Sequence, residues 1–246
     1  MSSLALIRSE VEARLSSRVP AAFEQRTRPE MPVIPTGIDT LDKEIGGIPC
    51  GAITELISPA GISSGKTSLQ TQLLASASKE QFCALIDATD SFDPKSAQAA
   101  GVNLKRLLWV RCSSHGMKAL EQAFKCADLL IQGSSGFGLI VVDVADIPDR
   151  FARKIPLTTW FRFSRVIEKL ETVLVFSTPC PVTSTCSVLS LTLSPGHLKW
   201  SQTSEDGCAH TRLFAGLDFA AEIIRKRSFR KPVQSAVPIS ANPKWA

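Results

Sequence analysis

The sequence lacks any apolar run long enough to cross a membrane. None of its hydrophobic stretches approaches the roughly 18 residues that a membrane-spanning helix needs. Residues 1–20 carry charges too early and too often for a secretory signal peptide. We therefore expect a cytoplasmic protein without membrane contact.

Closely paired cysteines are also missing. No two of the seven cysteines are spaced as Cys-x-x-Cys, and several lie within apolar segments. Such a distribution is typical of reduced, buried thiols and offers little support for a disulfide framework or a metal site.

The sequence lacks an excess of positive charge outside one end of the chain. The formal net charge is +5, and six cations without an acid follow Glu222. The body of the chain is therefore not broadly basic, and any contact with nucleic acid would have to come from local patches.

The length of 246 residues fits one large α/β domain with tails. We assign residues 1–32 to an N-terminal amphipathic helix and linker, 33–231 to the domain, and 232–246 to a disordered, proline-rich tail. The helix has one apolar face, formed by Leu4, Ile7, Val11 and Leu15. It either packs on the outside of the domain or reaches a neighbouring subunit.

The body of the chain alternates apolar runs with helical patterns. The runs lack polar alternation and are predicted strands: Ile53–Ile57, Phe82–Ile86, Leu107–Val110, Leu139–Asp143 and Val173–Phe176. Strands of this kind predict a mostly parallel sheet covered by helices on both faces, with ligands at the carboxyl ends of the strands.

The pattern changes after residue 188. A hairpin is predicted from Val188–Leu193 and His197–Trp200, with its turn at Pro195-Gly196. Leu213–Arg227 is predicted as a further strand. Together these segments would add an antiparallel extension to the sheet.

A phosphate-binding loop is predicted between the first of these strands and a helix. Backbone amides, a lysine at the outer phosphates and a hydroxyl that ligates Mg²⁺ would hold a nucleoside triphosphate there. Alanine stands at the first position of the loop, where glycine is usual. The loop comprises Ala60, Gly61, Ile62, Ser63, Ser64, Gly65, Lys66, Thr67 and Ser68.

From about Val33 to Pro232 the chain resembles the RecA family of recombination ATPases. The resemblance depends on the order and spacing of several motifs: Ile34-Pro35-Thr36-Gly37, Gly47-Ile48-Pro49-Cys50-Gly51 with Thr54-Glu55, Ser63-Ser64-Gly65-Lys66-Thr67, Ile86-Asp87-Ala88, Phe92-Asp93-Pro94 with Gly101-Val102, and the strand that ends at Asp143. The short length and the proline-containing segment that leads into the domain are most similar to those of the ImuA branch, the RecA-like accessory factors of translesion synthesis.

The resemblance implies a RecA-like P-loop fold that binds ATP with Mg²⁺. By the same resemblance, Thr67 and Asp143 would hold the metal, the latter directly or through water, and Asp93 would contact the adenine. Ser96 stands where RecA places an aromatic residue over the adenine ring. Affinity or selectivity for the base is therefore expected to be lower.

Two further departures concern hydrolysis and DNA. Thr89 occupies the position of the RecA glutamate that orients the attacking water, so the basic group is missing unless the adjacent Asp90 replaces it. Pro179 stands where RecA has a glutamine that senses the γ-phosphate. About nine residues, 178–186, replace the long DNA-binding loop that follows this glutamine.

Two sets of cations have counterparts in RecA. Arg150, Arg153 and Lys154 lie where the other DNA-binding loop is expected, and they either contact phosphates or belong to a solvated helix. Arg225 and Arg227 resemble the cations that one RecA subunit presents to its neighbour's ATP. Alternatively, they make an edge strand soluble or contact nucleic acid.

Three functions remain open from the sequence. The first is an ATP-binding interaction protein of DNA damage tolerance with weak or no hydrolysis, whose partners would be RecA, another copy of itself or a translesion polymerase-type protein. The second is a DNA-dependent ATPase that forms filaments on single-stranded DNA. The third is a RecA-fold ATPase unrelated to DNA.

Overall fold

The fold is described from a computed structural model that covers residues 7, 31–59, 63–133, 136–201, 213–226 and 236–242. The chain divides into two units, residues 1–30 and 31–246. Ile7 is described, in helical conformation, but the rest of the predicted N-terminal helix lies outside the described residues. None of the described helices is long and apolar enough to span a membrane.

The second unit is built on a large mixed sheet. Eight strands are hydrogen-bonded in the order β10-β9-β8-β3-β7-β6-β4-β5, and β1 pairs with β2 in a small separate sheet. The strands are β1 (Val33–Ile34), β2 (Ile48–Pro49), β3 (Ala52–Ile57), β4 (Phe82–Asp87), β5 (Leu107–Arg111), β6 (Phe137–Asp143), β7 (Val173–Thr178), β8 (Ser187–Trp200), β9 (Phe214–Lys226) and β10 (Ala236–Ala241).

Strands β5, β4, β6, β7, β3 and β8 run parallel, and β9 and β10 are antiparallel to their neighbours. The parallel sheet and its antiparallel extension confirm the predicted fold class. Helix α1 (Asp39–Ile45) lies between β1 and β2. The helices between the parallel strands are α2 (Lys66–Ala77), α3 (Pro94–Ala99), α4 (Met117–Gly133), α5 (Asp149–Ala152) and α6 (Leu157–Ile167).

Two hydrophobic cores lie on opposite faces of the sheet. One packs α1, α2 and α3 against alternate residues of the strands, and it includes Leu56 and Leu69. The other packs α4 and α6, and its centre is an aromatic cluster in which Trp160 and Phe176 have ring centroids 4.8 Å apart. Because helices cover both faces, the central strands are buried along nearly their whole length and need no polar alternation.

The predicted hairpin at 188–200 is wrong, because β8 is one continuous strand whose antiparallel partner is β9. Gly196 and His197 together oppose Asp218 in the register, which is the geometry of a β-bulge. A Cβ at Gly196 would lie 2.4 Å from the Asp218 carbonyl oxygen. The Pro-Gly pair therefore permits a bulge with close backbone contact, where a tight turn was expected.

The prediction of disorder across 232–246 is also wrong in part, since Ala236–Ala241 forms the edge strand β10. Val237 and Ile239 alternate with exposed residues and are buried in the first core. Pro238 lies between them, and an edge strand tolerates proline because one side of it makes no ladder hydrogen bonds. The proline content concealed this alternation in the sequence.

Candidate functional site

Polar side chains collect at the carboxyl edge of the central strands. In the register of the sheet, Asp143 at the end of β6 lies opposite Ser177 on β7 and Asp87 on β4. The phosphate loop leaves β3, the next strand beyond β7. The sheet therefore places the loop and Asp143 at the same edge, where parallel α/β proteins bind their ligands.

The phosphate loop ends at a helix with open amides. Gly65 has a φ of +80°, a conformation that favours glycine, and α2 begins at Lys66. No described side chain caps this end, which leaves the first-turn amides of Lys66, Thr67 and Ser68 to bind an anion. A buried hydrogen bond of 2.6 Å joins the hydroxyls of Ser58 and Ser64. Ala60, Gly61 and Ile62 lie outside the described residues.

Lys66 points at two carboxylates. Its ammonium donates to both oxygens of Asp143, at 3.0 and 3.2 Å, and to Asp146 at 2.6 Å. Burial lowers the pKa of Lys66, but the two carboxylates outweigh it and the pKa is raised. Burial raises the pKa of Asp143, against the opposing effect of Lys66. This cluster would neutralise phosphate charge through Lys66, with Asp143 and the exposed Thr67 available to hold Mg²⁺.

An aromatic ring supports the loop. A Cβ built at Gly65 would lie 2.3 Å from Cγ of Phe219, a buried residue of β9. The antiparallel extension therefore packs directly on the phosphate loop, and no other residue type fits at position 65 without displacing the ring.

The turn after β4 presents no free carboxylate. Asp87 is buried and accepts hydrogen bonds from the amides of Thr89 and Phe92. Asp90 has a φ of +57° and forms an exposed ion pair of 3.6 Å with Arg111. Asp90, proposed as a substitute base, is thus paired at the β5 side of the turn.

Asp93 caps helix α3. Its carboxylate accepts from the amides of Lys95 and Ser96 and from the Ser96 hydroxyl. These bonds, those from Ser96 foremost, lower the pKa of Asp93. The carboxylate therefore has a structural role in the free chain, and its predicted contact with adenine stays a prediction.

A second buried carboxylate fixes the loop that follows β7. Glu55 is 2% exposed and accepts from the amides of Val182 and Thr183, at 2.8 and 3.1 Å, and from the Thr183 hydroxyl at 2.6 Å. Nearby, Gln70 of α2 donates to the Ser177 hydroxyl at 2.6 Å. The loop is therefore anchored to β3, and α2 is bonded to the end of β7.

Comparison with known proteins identifies the family. The RecA N-terminal domain matches residues 5–150, which is more than half of the chain. The chain belongs to the RecA family. Its similar relatives include the protein RecA of Marinobacter nauticus, 36% identical over 138 residues, which are 55% of this chain and 38% of that protein. The protein RecA of Acinetobacter baylyi is 37% identical over 138 residues, or 55% and 37% of the two chains.

A third RecA relative, from Rickettsia africae, is 39% identical over 122 residues, which are 48% of this chain and 33% of that protein. The chain thus matches less than two-fifths of the length of these curated relatives. Membership of the RecA family confirms the predicted resemblance, whereas the ImuA branch stays a prediction. The family match ends at residue 150, and the roles assigned to individual residues on either side of that point stay predictions.

The cations that were given counterparts in RecA by resemblance differ in their surroundings. The side chains of Arg150, Arg153 and Lys154 are exposed. The guanidinium of Arg150 lies 4.9 Å from the centre of the Phe151 ring, and Arg153, which follows α5, pairs with Asp149 at 3.7 Å. Arg225 is half-buried and donates to the Ser184 carbonyl. Arg227 lies outside the described residues.

Three residues of this RecA-like site were not singled out from the sequence. Asp146 follows Asp143 by three positions, and Gln70 follows Lys66 by one helical turn. The second spacing, within one helix, could have indicated a shared location, whereas Asp146 lies in the turn after β6 and its place beside Lys66 follows from the sheet order. Phe219 lies on a distant strand, and nothing near it in the sequence points to the phosphate loop.

Proposed function

We propose that this protein is a RecA-like ATP-binding protein of DNA repair and damage tolerance, an SOS-type accessory of translesion synthesis with weak or no ATP hydrolysis. It acts mainly through nucleotide-dependent contact with other proteins. The observation that carries the proposal is the contrast between a phosphate loop joined to Asp143 through Lys66 and a β4 turn without a free carboxylate.

The proposed weakness of hydrolysis follows from the surroundings of each candidate base. Thr89 has a hydroxyl, which can hold a water molecule but is not basic near neutral pH. Asp90 is ion-paired with Arg111, and in the nucleotide-free chain Asp146 is ion-paired with Lys66. Loss of a general base typically lowers a rate by about 10²- to 10⁴-fold.

The loop after β7 supports a role that does not depend on DNA. The long loop expected there by resemblance to RecA is replaced by a short one, which three hydrogen bonds attach to the buried Glu55. A loop held in this way has little freedom to reorder around a DNA strand. We therefore favour contact with another protein, and not with DNA, as the interaction that nucleotide binding controls.

The proposed partners are RecA, a second copy of this chain, or a translesion polymerase-type protein. In a complex of RecA-like subunits, Arg225 and Arg227 would reach the neighbour's ATP. Arg225 would first have to leave the Ser184 carbonyl, to which it donates in the single chain. Such an exchange would make the contact depend on a bound nucleotide.

The exposure of Arg150, Arg153 and Lys154 favours an alternative function, binding of single-stranded DNA. Three cations on one short segment could bind phosphates of single-stranded DNA, as a DNA-dependent ATPase that forms filaments would require. This function also needs hydrolysis, for which the β4 turn offers no free base.

Both functions require a bound nucleotide, and they are separated by ATP turnover in the presence of single-stranded DNA and by electron microscopy. Calorimetry should show Mg-ATP binding, and ATP turnover should stay low and unchanged when single-stranded DNA is added. Rapid turnover stimulated by DNA, or regular filaments in electron micrographs, would refute the interaction role. If the interaction role stands, pull-downs from cells with damaged DNA, with and without ATP, would identify the partner.

A further inference from the structure

Asp146 occupies the open side of the phosphate-loop lysine. Its contact with the Lys66 ammonium, 2.6 Å, is shorter than either contact with Asp143. The Asp146 side chain is 45% exposed, whereas those of Lys66 and Asp143 are 10% and 6% exposed. The two carboxylates are therefore unequal partners of one ammonium.

Asp143 is fixed in place. It is enclosed at the end of β6 and also accepts a hydrogen bond from the Ala145 amide at 3.2 Å. Within the described part of the chain, Lys66 is the one hydrogen-bonding partner of the Asp146 carboxylate, and solvent can replace it. When another anion binds the Lys66 ammonium, Asp146 is the carboxylate that can separate from it.

A phosphate oxygen bound by Lys66 would lie close to this carboxylate. With contacts of normal length to the same ammonium, the two anions would be within about 5.5 Å of each other. Like charges at this distance repel, and the repulsion grows with the charge of the phosphate group that approaches. A triphosphate therefore meets more opposition than a diphosphate.

We propose that Asp146 is an internal competitor of the terminal phosphate. It holds Lys66 in the nucleotide-free chain and is displaced when a nucleoside triphosphate binds. It thereby lowers the affinity for ATP more than that for ADP and makes the site less selective for the triphosphate. This inference rests on the nucleotide site of the proposed function.

The test compares the full chain with two variants of equal charge. Asp146→Asn removes the competing charge and keeps the size of the side chain. Asp149→Asn removes a nearby exposed carboxylate, which pairs with Arg153 and not with Lys66. Calorimetry with Mg-ATP and Mg-ADP at one salt concentration should show ATP binding about tenfold tighter in Asp146→Asn, and ADP binding about threefold tighter. Asp149→Asn should stay within about twofold of wild type for both nucleotides.

The ratio of the two affinities is decisive, because a merely structural role would shift both nucleotides alike. If wild type binds ATP and Asp146→Asn binds it equally or more weakly, the competitor is refuted while the proposed nucleotide site stands. If all three chains are folded by circular dichroism and none binds either nucleotide, the proposed function fails and the competitor with it. Binding of ATP by Asp146→Asn alone would support both.

Discussion

Replacing Glu55 by alanine should destabilise the fold strongly, although Glu55 lies outside the phosphate loop. Its carboxylate is 2% exposed and accepts three short hydrogen bonds, from the Val182 amide and from the amide and hydroxyl of Thr183. Thr183 is fully buried, so its amide would lose its acceptor without gaining water, whereas its hydroxyl keeps Ser187 as a partner.

The expected magnitude follows from these bonds. A hydrogen bond to a charged group contributes about 1.5–3 kcal/mol, and bonds that share one acceptor group are not additive. We expect Glu55→Ala to lower the free energy of unfolding by about 4 kcal/mol. For a domain of this size, that corresponds to a fall in Tm of about 8–16 °C. Glu55→Gln keeps one acceptor oxygen and should lose about 1–2 kcal/mol.

Urea denaturation followed by circular dichroism measures these changes, and Thr54→Val provides the control. Thr54 neighbours Glu55 on β3, and its buried hydroxyl has no hydrogen-bond partner among the described residues. Valine should therefore be neutral or slightly stabilising at this position. A loss below about 1 kcal/mol in Glu55→Ala would refute the anchoring role of the carboxylate.

Three further substitutions test the nucleotide site. Lys66→Ala should abolish the heat of Mg-ATP binding and also destabilise the chain by about 3–5 kcal/mol, because it leaves a buried carboxylate unpaired; normal binding by the folded variant would contradict the site. Thr89→Glu should raise ATP turnover by about tenfold or more if a base is what the site lacks, and unchanged turnover would argue against that reason. Gly65→Ala should lower the free energy of unfolding by about 2 kcal/mol or more, since its Cβ would lie 2.3 Å from the ring of Phe219. Gly46→Ala is the control: it has a similar φ of +72° and no atom within 4 Å, and it should lower the free energy of unfolding by about 1 kcal/mol. Equal losses in the two glycine variants would refute the role of the ring.

The parallel body of the fold could be predicted because its signals are local. Apolar runs without alternation, such as the one that ends at Asp143, identify strands buried on both faces. The spacing of Gly65, Lys66 and Thr67 between a strand and a helix identifies the loop by the same kind of evidence. In both cases the residues that determine the structure are neighbours in the sequence.

The remaining features depend on contacts between distant segments. Whether Pro195-Gly196 makes a turn or a bulge is decided by β9, which lies about twenty residues further along. Likewise, Val237 and Ile239 become core residues when β9 offers them an edge. The pairing of Lys66 with Asp146 requires β6 to end beside the loop, and this follows from the sheet order and not from a spacing within the sequence.

The contacts of the phosphate loop indicate which segments should respond to a bound nucleotide. Gln70 bonds α2 to Ser177, and Glu55 bonds the next loop to β3, so these parts should move as one body. Phe219 instead contacts the loop through packing alone, and side-chain packing yields more readily than buried hydrogen bonds to a carboxylate. We therefore expect Mg-ATP to change amide hydrogen exchange in β9 and to leave residues 179–186 unchanged. The opposite pattern would show that the loop after β7, despite its anchor, is the segment that responds to nucleotide.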